Sequence, residues 1–128
     1  MINSNDREAL VGRLQQGRVA TLEAIASFEG STRPVELDQA TQGRLSRMDA
    51  MAQQQMALAG RAHLVAELTR IDAALDRVAR GVFGRCGRCD LDIELDRLRA
   101  DPSLPFCMEC LEEIQEERRR EEHLRRNR

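Results

Sequence analysis

The 128-residue sequence has no tryptophan, no tyrosine and no lysine, and its only aromatic residues are three phenylalanines. Large cores and deep apolar pockets lean on aromatic side chains, so a wide β-sandwich or a deep ligand cavity is not expected. No run of about 18 apolar residues occurs, so nothing reads as a membrane span. The first 30 residues carry Asp6, Glu8, Glu23 and Glu29 and no apolar block, so no secretory signal is expected and the cytoplasm is the expected location. Net charge is also scarce. Twenty basic residues against 22 acidic ones leave −2, which disfavours broad electrostatic capture of nucleic acid. What is abundant is charge of both signs, 33% of residues, with many Ala, Leu, Glu and Arg. That is the composition of long helices.

From about Asn5 to Phe28 there is no proline, and Leu10, Leu14, Leu22, Ile25 and Phe28 recur at helical spacing. Ser4 or Asn5 suits an N-cap. Gly30 and Pro34 are expected to end this helix. Helical pattern resumes near Asp38 and runs to about Arg80. Leu45, Met48, Met51, Ala52, Met56, Ala59 and Ala62 form a thin apolar stripe. Leu64, Leu68, Ile71, Leu75 and Val78 follow at steps of four and three, a heptad seam. Some 40 helical residues extend about 60 Å, longer than a compact domain needs. The pattern predicts an antiparallel coiled-coil hairpin with an exposed tip near residues 29–40. Gly81 and Gly84 stop the long helix. In the next unit, Leu91, Ile93 and Leu95 alternate with acidic residues, which suggests a short strand or turn. From Cys110 the chain reads as helix again. Glu116/Arg120, Glu121/Arg125 and Glu122/Arg126 are spaced to support a solvated helix.

Cys86-Gly-Arg-Cys89 and Cys107-Met-Glu-Cys110 are two C-x₂-C pairs separated by 17 residues. A two-residue gap lets one tight knuckle present both sulfurs to one ion, and four thiolates complete the tetrahedron of a structural Zn²⁺ site. A segment this short buries too little surface to fold alone, so the metal supplies the stability. Phe83, Ile93, Leu98, Leu104 and Phe106 are the expected mini-core. His63 and His123 have no second ligand at useful spacing. No Ser/His/Asp set, nucleophile elbow or phosphate-binding glycine loop is present, so no enzyme is expected.

These residues together resemble the DksA/TraR family of C4 zinc-finger proteins that bind bacterial RNA polymerase. The most specific segments are Gly81-Val-Phe-Gly-Arg-Cys86-Gly-Arg-Cys89, then Ile93, Arg97-Leu-Arg-Ala100-Asp-Pro102, then Cys107-Met-Glu-Cys110. Asp38-Gln-Ala40-Thr-Gln42 is similar to the tip motif D-x-A-T-Q. The resemblance implies a mainly α fold: a coiled-coil hairpin arm over 1–80, a C4 zinc finger over 81–110 and a C-terminal helix over 111–128. It implies a monomer whose arm enters the polymerase secondary channel, without sequence-specific DNA contact or membrane attachment. There the tip, with Asp38, Ala40 and Glu36, reaches the catalytic region and shifts promoter-complex stability. Asp38 matches the second of two tip aspartates in the best-known member, and Val35 stands at the first position. That member binds the stringent-response alarmone ppGpp with basic residues. The matching positions here are Asp101, Leu111 and Arg70, which implies weak ppGpp dependence. A small zinc-ribbon adaptor for another protein, and a transcript-cleavage factor that holds Mg²⁺ at an acidic tip, stay open as alternatives. Asp90 stands where the family often has glycine, and aspartate tolerates a left-handed backbone.

Overall fold

The computed structural model describes residues 2–31 and 44–128. Four helices follow one another: α1 (Ser4–Ser31), α2 (Arg44–Ala79), α3 (Leu95–Ala100) and α4 (Met108–Arg126). The expected tip near 29–40 falls almost wholly outside the described residues, and Glu36, Asp38 and Ala40 lie outside them. The chain divides into two compact units, one of Met1–Gln15 with Ala73–Arg128 and one of Gln16–Asp72.

α1 starts after Asn3, whose Oδ1 accepts the Asp6 backbone N–H at 2.7 Å. That caps an orphan donor of the first turn. The helix passes through Gly30 to Ser31 instead of ending at the glycine. Glycine in a helix costs only about 1 kcal/mol, which the preceding turns outweigh. Its covered face is Leu10, Leu14, Gly17, Thr21, Ala24 and Phe28, at steps of four and three, with Ile25 beside it. Leu22 sits one position past this seam and is 39% exposed, whereas Thr21 is 6% exposed. Position in the heptad, not hydrophobicity, decides which of the two goes inside.

The same rule corrects the expected stripe on α2. Met48, Met51 and Met56 are 57%, 59% and 73% exposed. Ala52, Ala59 and Ala62 are exposed with them. The covered face is Ala50, Gln54, Ala57, Arg61, Leu64, Leu68, Ile71, Leu75 and Val78, one unbroken heptad seam. Within the second unit the helices run antiparallel. A Cβ placed on Gly17 would lie 3.6 Å from Ile71, and one on Gly60 would lie 2.9 Å from the Phe28 ring. Arg18 pairs with Asp72 at 2.7 Å across them, a half-exposed pair worth under about 1 kcal/mol.

In the first unit, a core cluster joins Leu10, Cys86, Ile93, Leu98, Cys107 and Cys110, with Ile2, Phe83, Leu95 and Phe106 against it. Leu104 is half-buried outside that cluster. Of the short strand or turn expected there, the turn forms, and no strand occurs among the described residues. Only Arg85 and Asp92 make an antiparallel bridge. Leu91 is 69% exposed while Ile93 is 3% exposed, so the two do not share a strand face. Leu95 opens α3 instead, and Leu98 one turn later is fully buried. No helix among the described residues is long and apolar enough to cross a membrane.

Candidate metal centre

Two backbone turns bring the cysteines together. The Gly84 carbonyl accepts the Ile93 N–H at 2.8 Å, and the Leu91 carbonyl accepts the Cys86 N–H at 2.7 Å. The chain reverses between them with Asp90 at φ 63, bonded through its N–H to the Cys86 carbonyl at 3.0 Å. An aspartate thus serves in the left-handed region where glycine is commoner. The second pair rides on α4. Cys107 is its N-cap, and Cys110 lies in its first turn. The Pro105 carbonyl accepts the Gly87 N–H at 2.9 Å, which ties the two knuckles to each other.

Gly84 has a fixed purpose here. Its φ is 85°, and a Cβ on it would lie 2.5 Å from the Ile2 side-chain tip. The tip can move aside, but a left-handed L-residue costs about 1–2 kcal/mol. Gly84→Ala is therefore expected to lower unfolding stability by about that amount, read as a shifted urea midpoint. An unchanged midpoint would show that the turn does not need the positive φ.

The four Sγ atoms all lie within 4.8 Å of one another. The Cys89–Cys107 pair is 3.8 Å apart. A tetrahedron with metal–sulfur bonds of about 2.3 Å has edges of about 3.8 Å, so the donor set fits Zn²⁺. Cys86, Cys107 and Cys110 are buried and Cys89 is exposed. Backbone N–H groups point at sulfur: Arg88 to Cys86 and Cys110 to Cys107, both at 3.5 Å. Burial by itself raises the Cys86 thiol. Backbone hydrogen bonds from Cys89, Cys107 and Arg88 outweigh it and bring Cys86 down to about 6. Burial pushes Cys110 up, and the crowded thiols of Cys107, Cys86 and Cys89 push it further. Four thiols this close cannot all ionise alone, and a divalent cation reverses that balance by stabilising every thiolate.

Side chains other than the cysteines tie this unit together, in contacts that the sequence did not foretell. Arg88 donates to Glu117 at 2.7 Å and links the first knuckle to α4. That carboxylate holds the Arg88 guanidinium above its ordinary value. Arg97 reaches the Phe106 carbonyl at 2.8 Å, just before the second knuckle. The Asp101 carboxylate accepts the backbone N–H of Ser103 at 3.0 Å and its hydroxyl at 2.7 Å. Arg77 donates to the Ser103 carbonyl at 3.2 Å; burial lowers its pKa. Arg13 donates to the Arg99 carbonyl. Leu10 joins the cysteine core from far away in sequence, and no local pattern announces that contact. Arg70 is exposed on α2 in the other unit and takes no part in the metal centre.

No protein-family model matches the chain. An uncharacterized protein of Aquifex aeolicus (strain VF5) is 40% identical over 53 residues, which is 41% of this chain and 37% of that protein. The match therefore spans little more than a third of that relative. Among solved structures, transcription factor DksA2 from Pseudomonas aeruginosa has a TM-score of 0.73 at 26% identity, over 92% of this chain and 88% of the other. DnaK suppressor protein from Agrobacterium tumefaciens C58 is 28% identical, over 81% of this chain and 89% of the other, with a TM-score of 0.49. With the DksA fold and four cysteines clustered as a zinc site, this chain is a structural neighbour of the DksA proteins.

Proposed function

We propose that the chain is a DksA-type transcription factor that binds bacterial RNA polymerase through the secondary channel and modulates promoter-complex stability. The observation that carries this reading is the likeness to transcription factor DksA2, which extends over nearly the whole of both chains. Cys86, Cys89, Cys107 and Cys110 hold one Zn²⁺. Four protein ligands leave the ion no open position, so it fixes the fold and performs no chemistry. As a transcription factor of this type, the chain is in this reading a regulator and not an enzyme, and it works in the cytoplasm. The hairpin arm carries Asp38, Ala40 and Glu36 to the polymerase active centre.

Dependence on ppGpp is weak in this reading. Phosphates need cationic partners, and Asp101 and Leu111 stand where the family resemblance calls for basic groups. The Asp101 carboxylate is already occupied by Ser103. Arg70 supplies one cation only.

Asp38→Asn tests the tip. Asparagine keeps the shape and still caps a helix, so folding and polymerase affinity should match the parent. The effect on promoter-complex lifetime should fall severalfold in a purified transcription assay. A variant that regulates as well as the parent would reduce Asp38 to a cap and favour the adaptor alternative.

A further inference from the structure

Residues 101–106 carry the chain from α3 to Cys107 without forming a helix or a strand. Buried backbone carbonyls are almost always paired, so those of this loop must find partners in other elements. The Pro105 carbonyl takes the Gly87 N–H of the first knuckle at 2.9 Å, and the Phe106 carbonyl takes Arg97 of α3 at 2.8 Å. The Ser103 carbonyl takes Arg77 of α2 at 3.2 Å. Just before the loop, the Arg99 carbonyl at the end of α3 takes Arg13 of α1. Pro102 and Ser103 are buried. The Asp101 carboxylate holds the Ser103 N–H and hydroxyl, and the Leu104 N–H closes the turn on the Asp101 carbonyl at 3.3 Å. A closed turn, with the Pro102 φ fixed by its ring, thus presents one carbonyl to the half-buried Arg77 side chain.

We infer that Arg77 is a positioning residue for the metal centre: its grip on the Asp101–Leu104 turn fixes where Cys107 stands and couples zinc loading to closure of the last turns of α2. Only Leu104, Pro105 and Phe106 separate Ser103 from Cys107, and that length of chain reaches at most about 14 Å. Pinning the Ser103 carbonyl therefore restricts the Cys107 sulfur. Arg77 and all four cysteines belong to the same compact unit. Zinc binds the closed unit and not the open one. A contact made only in the closed unit therefore raises zinc affinity, and zinc in turn strengthens that contact by the same factor. Arg77 touches no sulfur; it acts through the turn. The inference rests on the zinc site and is independent of what the arm binds.

A double-mutant cycle on the full-length protein tests it, with zinc affinity read by competition against a chelator of known affinity. Methionine at 77 keeps an apolar stem and helix propensity but removes the donor. Arg77→Met should weaken zinc binding at least about fivefold, as the loss of a charged donor to a buried carbonyl. Asp101→Ala, which releases the turn, should weaken it comparably. If Arg77 acts through the turn, the double variant should bind no more than about twofold more weakly than the weaker single variant. An Arg77→Met loss under about fivefold, or two losses that simply multiply, overturns the inference. Hydrogen exchange on the parent decides the question by itself if a variant fails to fold. Stripping the zinc should speed exchange of amides 75–79 at least about tenfold and leave amides 64–71, in the other unit, within about threefold. A smaller change at 75–79, or an equal change along 64–71, overturns it.

Discussion

Cys107→Ser should abolish stoichiometric zinc binding and unfold the unit around it, while α1 and α2 keep most of their helicity. Serine is a preferred N-cap residue. If Cys107 served α4 only as the cap that accepts the Cys110 N–H, the variant would be as stable as the parent. The substitution therefore separates the metal role from the capping role. Of the 19 residues of α4, only Cys110 is buried, so little else holds this helix to the molecule. Structural zinc sites contribute on the order of 10 kcal/mol of folding free energy, more than the whole stability of most small domains. Loss of one ligand should therefore appear as lost helicity from α3 and α4 in circular dichroism and as less than about one tenth of a zinc per chain by elemental analysis. Retained α4 structure without metal would refute a metal-dependent fold.

Leu68→Asp should produce the mirror image. Leu68 stands in the aliphatic half of the α2 seam between Leu64 and Ile71. An unpaired carboxylate in that layer loses the leucine packing and adds a desolvated charge, together about 2–4 kcal/mol. The hairpin should melt at a markedly lower temperature, whereas the zinc content should stay at one per chain, because all four cysteines lie in the other unit. A melting temperature within a degree or two of the parent would show that the seam does not hold the arm. The two substitutions together test whether the arm and the metal unit draw their stability from different sources.

Some of this is written plainly in the sequence because the physics leaves few alternatives. Two C-x₂-C pairs are legible because tetrahedral coordination by two tight knuckles dictates the spacing, and the four sulfurs do converge. The Leu64–Val78 seam is legible because aliphatic residues mark every layer. The outer half of α2 is not, because its seam positions carry Ala, Gln and Arg while methionines occupy neighbouring exposed positions. A count of hydrophobic residues picks the methionines. Extending the register outward from Leu64 picks the correct face. Thr21 and Leu22 show the same effect on α1. The alternation from Leu91 to Leu95 imitates a longer strand, yet the pairing with residues 84–86 goes no further than the Arg85–Asp92 bridge, and Leu95 and Leu98, spaced for a helix, open α3. Leu10 beside the cysteines is a long-range contact, and the heptad pattern that places it on the covered face of α1 does not say which unit it covers.

The central claim is tested most directly by equilibrium binding of the zinc-loaded chain to core bacterial RNA polymerase, in competition with a transcript-cleavage factor that occupies the secondary channel. Saturable binding at one chain per polymerase, displaced fully by the competitor and weakened strongly by Leu68→Asp, is the predicted result. Absence of binding, or binding that the competitor leaves untouched, would contradict the secondary-channel account.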